Sequence, residues 1–263
     1  MQSTAQNHTL DPNAAIYIRD QLREARAIAL GDAEAFHELL FTVERFGSLL
    51  TKNSIGTLGN REYRESINGV ACHSPLAEDI PHVFRECHTP FSVLYRSVNA
   101  ARNDALHQGA FARHLTNHAI QLSLVLEDAL MQEAVTVGDY MVRGPVCAAL
   151  WQPISYIRQA MLINSFSYLP VLWAGDKQQA TWHLISDYTI AQYVRHKDRN
   201  ARLAKTLEEA LTTGDVIPNK AHLCAVDASI EDALALSDGK PILVHQKFNE
   251  DELLGIVAPF DLL

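Results

Sequence analysis

Residues 157–172 read Ile157-Arg158-Gln159-Ala160-Met161-Leu162-Ile163-Asn164-Ser165-Phe166-Ser167-Tyr168-Leu169-Pro170-Val171-Leu172, a helical stretch that gives way to a short buried strand behind a proline. The same grammar returns as Ile230-Glu231-Asp232-Ala233-Leu234 followed by Pro241-Ile242-Leu243. Upstream, Val137-Gly138-Asp139-Tyr140-Met141 matches Thr213-Gly214-Asp215-Val216-Ile217, and downstream Leu184-Ile185-Ser186 matches Gly255-Ile256-Val257. Four blocks in one order, displaced by 71 to 76 residues, mark a duplicated structural unit. The first copy is predicted over 135–197 and the second over 211–263, with Tyr188–Thr212 as a helical connection. Neither copy buries its apolar face alone, so the two are expected to pack about a pseudo-twofold axis.

Working outward from that repeat, the first half follows a different period. Residues 1–12 read as a loose polar leader, and 13–134 as an all-α helical bundle. Ile16, Leu22, Ala25 and Ala29 predict a helix from Asn13 to about Leu30. Asp32 is the expected N-cap of a second helix through Leu50. The span from Asn53 to Pro81, rich in Gly, Asn, Ser and charge, is predicted to be loop with short helices at most. Pro90 opens a third helix, Phe91–Leu106, and after Gly109 a fourth runs from Ala110 to Ala134. The fold class expected is therefore α+β multidomain: a helical bundle followed by two βαββα units.

Composition excludes several classes. Hydrophobic residues make up 48% and charged residues 20% of the 263 positions, which is ordinary for a globular chain. No apolar run is long enough to span a bilayer, and no basic start precedes an apolar stretch, so neither a membrane span nor a signal peptide is read. Cys72, Cys87, Cys147 and Cys224 form no Cys-x-x-Cys pair, which argues against zinc and fits reduced thiols in a cytoplasmic protein. His73, His82 and His88 near Cys72 and Cys87 match no familiar ligand spacing, so no metal site is expected. A net charge of −9 disfavours indiscriminate grip on nucleic acid, yet leaves room for a local basic site.

The repeated blocks, ending in Gly255-Ile256-Val257-Ala258-Pro259-Phe260-Asp261-Leu262-Leu263, resemble the CBS-domain family over residues 135–263. The resemblance implies two CBS-type βαββα units in pseudo-twofold arrangement, with adenine nucleotide bound in clefts between the copies. It also implies a Ser/Thr-x-x-Asp motif whose acid accepts hydrogen bonds from the ribose hydroxyls and whose hydroxyl residue contacts a phosphate. Here the motif is divided. The first copy has Ser186 with Thr189 in the acid's place, and the second has Asp261 with Ala258 in the hydroxyl's place. Asp261 is the first position expected to hold a ribose diol. Ser186, Pro170, Val171, Pro241 and Ile242 complete the nucleotide-binding candidates, with AMP, ADP or ATP as a regulatory ligand and no cofactor required. The alternative is a pair that serves only to dimerise.

In the first half, Arg102-Asn103-Asp104-Ala105-Leu106-His107 closes the third helix. Over residues 13–134 the order of helices and this Arg-Asn-x-x-x-His resemble the HEPN superfamily. That resemblance implies metal-independent RNA cleavage at a site shared across a homodimer. His107 would be the general acid/base, Arg102 the phosphate ligand, and Asn103, one turn before His107, would orient the imidazole or the phosphate. The surrounding 95–118 stretch carries Arg96, Arg102 and Arg113 against the single acid Asp104, and would be the RNA-facing surface. Two other readings stand beside this one. Arg102 pairs with Asp104 or Glu127 while His107 caps a helix C-terminus, or the helical half is a dimerisation and docking platform in a non-enzymatic nucleotide sensor.

Overall fold

Pro12, whose missing N–H costs nothing in the first turn of a helix, opens α1 (Pro12–Gly31). The computed structural model describes residues 10–53, 56–105, 112–132, 134–175 and 179–262. It divides into two compact units, Met1–Glu133 and Ala134–Leu263. The predicted leader lies, up to residue 9, outside the described residues. In the first unit α1 buries Ile18, Leu22, Ala25 and Ala29 along one face. Asp32 does not cap the second helix. Its N–H bonds back to Ile28 O, closing α1, and its carbonyl accepts from Ala35 N–H (3.0 Å) to start a 3-10 turn over Ala33–Phe36. Only then does α2 (His37–Thr51) begin.

The span predicted as loop holds α3 (Arg61–Ala71) and α4 (Asp79–Val83). The signal for α3 was present but diluted. Asn60 caps it by accepting from Glu62 N–H at 2.8 Å, and Tyr63, Ile67 and Ala71 form a buried stripe at intervals of four. Tyr63 lies flat against two glycines, since a Cβ on Gly47 would stand 2.5 Å from its ring and one on Gly56 2.3 Å. Its hydroxyl donates to the Asn53 carbonyl. The unit is completed by α5 (Phe91–Ala105) and α6 (Ala112–Met131). Leu22, Phe46, Ile67, Leu94 and Leu126, one from each long helix, belong to a single core. At its edge the buried Glu127 carboxylate accepts two bonds from Arg26 (3.0 and 2.9 Å), with Arg23 at 3.6 Å.

The second unit begins with α7 (Val137–Tyr140), β1 (Val142–Arg143), α8 (Ile154–Asn164), β2 (Tyr168–Trp173), β3 (Thr181–Ser186) and α9 (Asp187–Val194). After α10 (Arg199–Ala204) come α11 (Leu207–Thr212), β4 (Asn219–Lys220), β5 (His222–Ala225), α12 (Ile230–Leu236), β6 (Ile242–Gln246), β7 (Asn249–Val257) and a 3-10 turn over Pro259–Leu262. One sheet has the order β1-β7-β6-β5 and the other β2-β3-β4. Each therefore takes an edge strand from the other copy. Val142 and Arg143 pair with Ile256 and Gly255, while Asn219 and Lys220 pair with Leu184 and His183. Two isolated bridges repeat the exchange, Thr136 with Ser229 and Pro153 with Thr206.

That reciprocity corrects the register of one repeat block. The counterpart of Thr136 is Thr206, because both close a capping box with the acid three residues on, Asp139 and Glu209. Gly214, matched to Gly138 by sequence, instead occupies a left-handed turn (φ +74°) after α11. The second copy thus starts at Thr206, within what the sequence suggested was a connection. Leu184, Ala221 and Leu243, drawn from both copies, form a small fully buried cluster between the sheets.

Candidate functional site

The two copies present equivalent corners where β3 and β7 end. At the first, Ser186 is buried and N-caps α9, its hydroxyl accepting from Thr189 N–H (3.1 Å) and hydrogen-bonding the Thr189 hydroxyl at 2.7 Å. At the second, the roles reverse, and Ala258 N–H donates to the Asp261 carboxylate at 2.7 Å. A capping box needs both bonds, from the leading hydroxyl to the third amide and from the third acid to the leading amide. Each corner keeps one of them. The divided Ser/Thr-x-x-Asp motif is therefore also a divided helix cap, and Ser186 and Asp261 hold their own chain in shape. Beside each stands an exposed aromatic in the same place of the motif, Tyr188 (67% exposed) and Phe260 (73%).

Pro170 and Val171 lie in β2, and Pro241 and Ile242 at the entry to β6, all buried. Val171 and Ile242 are core side chains, so what these two can offer a ligand is main chain. The Pro170 carbonyl is engaged by Ala148 N–H at 2.8 Å. Pro170 itself sits on an outer strand of its sheet, where a missing N–H is tolerated. Ahead of Pro241, Lys240 donates to Asp238 at 2.7 Å, which holds the Asp238 carboxyl below its usual range; His222 stands 4.0 Å away. On β5, burial pushes the Cys224 thiol up to about 11, so it stays protonated. All four cysteines are free thiols.

Arg102 and Asn103 are described as backbone in the last turn of α5, and His107 lies outside the described residues. Glu127, one carboxylate that could have held Arg102, is engaged by Arg26 and Arg23. Among the described residues no three His, Cys, Asp or Glu side chains converge as metal ligands, and no helix is long and apolar enough to cross a membrane.

Sequence reasoning missed a cleft of about 390 Å³ in the first unit, between α3 and α5. Its polar groups come in helical steps, Arg64 and Asn68 on α3 and Ser92, Arg96 and Asn99 on α5. The available signal was the pairing of Arg with Asn one turn apart on each helix, hidden on α3 because that helix was read as loop.

No protein-family model and no curated protein matches the chain. Among solved structures it is similar to a CBS-domain containing protein from Agrobacterium tumefaciens, at 14% identity and TM-score 0.37, over 50% of this chain and 93% of that one. It is also similar to CBSX2 in complex with AMP, at 18% identity and TM-score 0.34, over 48% and 92% of the two chains. A third is the CBS domain of a bacterial CNNM/CorC family Mg2+ transporter, at 13% identity and TM-score 0.37, over 51% and 75%.

Proposed function

We propose that the second unit is a CBS-type pair that binds an adenine nucleotide, AMP, ADP or ATP, and that the protein is a nucleotide-sensing regulator working as a homodimer. The observation that carries this reading is the Asp261 corner. A half-buried carboxylate, fixed at the end of β7, stands next to the exposed ring of Phe260. A carboxylate is the strongest acceptor for a ribose diol, and an exposed ring is a stacking surface for a purine. The Ser186 corner offers a hydroxyl and Tyr188 for the second copy of the site. Regulation follows if nucleotide binds two arrangements of the protein with different affinities. Calorimetric titration of the full chain with AMP, ADP and ATP tests it. D261A is expected to weaken the preferred nucleotide about tenfold or more, the value of one lost charged hydrogen bond. Equal affinity in wild type and D261A overturns the assignment.

A second reading is favoured by one feature of the first unit. The Arg-Asn-x-x-x-His sequence begins in the last described turn of α5 (Phe91–Ala105) and runs on into residues 106–111, outside the described residues, ahead of α6 (Ala112–Met131). On this reading Arg102, Asn103 and His107 form a metal-independent endoribonuclease site shared between protomers, with RNA held by the 95–118 stretch and nucleotide as the regulator. Cleavage of a mixed RNA pool that is lost in H107A supports it. Absent cleavage, or equal cleavage by the variant, leaves the helical unit as a dimerisation or docking platform.

A further inference from the structure

We propose that the cleft between α3 and α5 binds a small phosphomonoester, at a site separate from the nucleotide corners. Its volume of about 390 Å³ falls in the range of roughly 300 to 1,000 Å³ typical of small-ligand pockets. Two exposed arginines line it, Arg64 from α3 and Arg96 from α5. Among the described residues neither makes a salt bridge. The carboxylate that also reaches the cleft, Glu65, is engaged at 2.7 Å by Arg61, which lies outside it. In a chain of net charge −9 two arginines lining one cavity, with its carboxylate already paired to Arg61, are a local excess of positive charge. The first turn of α5 also reaches the cleft through Phe91 and Ser92, with the Phe91 N–H taken by the Ala77 carbonyl at 2.9 Å.

The charge count selects the ligand class. Two guanidinium groups balance a phosphomonoester dianion, whereas a phosphodiester link in RNA carries one charge. The remaining polar lining, Asn68, Asn99 and Ser92, consists of neutral donors and acceptors suited to hydroxyls on the body of the ester. The floor is apolar and fixed. Phe91 and Tyr95 are buried, and the Tyr95 hydroxyl already donates to Leu58 O at 2.9 Å. With that bond made, the ring serves as a wall and leaves recognition to the groups above it.

The test is calorimetric titration of the full chain with glucose 6-phosphate, with glucose as the uncharged control. Wild type is expected to bind the ester and ignore the sugar. R64Q and R96Q are each expected to lose affinity by about tenfold or more, the loss of one charged contact. D261A is expected to bind as wild type does, so failure of the nucleotide assignment leaves this one standing and the converse also holds. Absence of binding to wild type, or equal binding by R64Q and R96Q, overturns the proposal. Displacement of the ester by a single-stranded RNA oligomer at lower concentration also overturns it, by assigning the arginines to polynucleotide phosphates.

Discussion

Leu243 is fully buried on β6, opposite Leu223 of β5 and Ile256 of β7, and it clusters with Leu184 of the other copy and Ala221. Truncation to alanine removes a side chain with no path for solvent to fill the space, which in well-packed cores costs about 3 kcal/mol. For a unit of this size the urea dependence of stability is roughly 1.5 kcal/mol/M, so L243A should lower the midpoint by about 2 M. The assay comes with the sequence. Trp151, Trp173 and Trp182, the three tryptophans of the chain, all lie in the second unit, so tryptophan fluorescence follows its unfolding alone. L184A should cost a similar amount. Because the two side chains share one cluster, the double variant should deviate from additivity by at least about 0.5 kcal/mol. A midpoint shift under about 0.5 M, or strict additivity, would refute the claim that the copies share a core at this point.

Two further outcomes follow from ion pairs and caps. R26A removes the two-pronged partner of the buried Glu127 and, among the described residues, leaves the more distant Arg23, so the first unit should lose about 2 kcal/mol by circular dichroism, less than the roughly 3 to 5 of a wholly stranded charge; R26A/E127L should recover most of it. The Glu209 carboxyl is held below its usual 4.5 by the Thr206 N–H and then by the Thr206 hydroxyl. Its stabilising effect is therefore complete above the usual value and is lost as pH falls through the lowered one. E209Q should flatten that acid limb of the fluorescence-detected stability profile, and an unchanged limb would exclude the cap as its source.

How much of this was legible depended on whether the cause was local. The stripes Leu22-Ala25-Ala29 of α1 and Ala119-Leu122-Leu126 of α6 recur at helical spacing over 20-residue helices, and such a period needs no knowledge of the partner. In α3 the stripe has three members, set among Asn68, Gly69 and charges, and composition outweighed it. The Gly-Asp match at 214–215 misled because a turn glycine and a helix glycine look alike in one letter; the threonine-acid spacing at 206–209 was the better marker. The strand exchange was beyond reach, since β1 and β4 are two residues each and acquire meaning only from partners far along the chain. At the site, the acid and hydroxyl were readable from the motif. The exposed rings of Phe260 and Tyr188 were not, because exposure is a property of the packed corner. Arg64 and Arg96 became a pair only when α3 was set beside α5.

The mutual loan of β1 and β4 bears on how such a chain can be cut or rearranged. A fragment with one copy would keep its own core helix and hairpin but lack the strand that closes its sheet, leaving a row of unpaired amides at the edge. Its simplest remedy is a second identical fragment, each lending what the other lacks. The tandem chain is then a two-chain assembly made covalent, with the partner held at a tether's distance in place of a free concentration. One copy has thereby been free to keep the acid and the other the hydroxyl, a division that identical chains could not make.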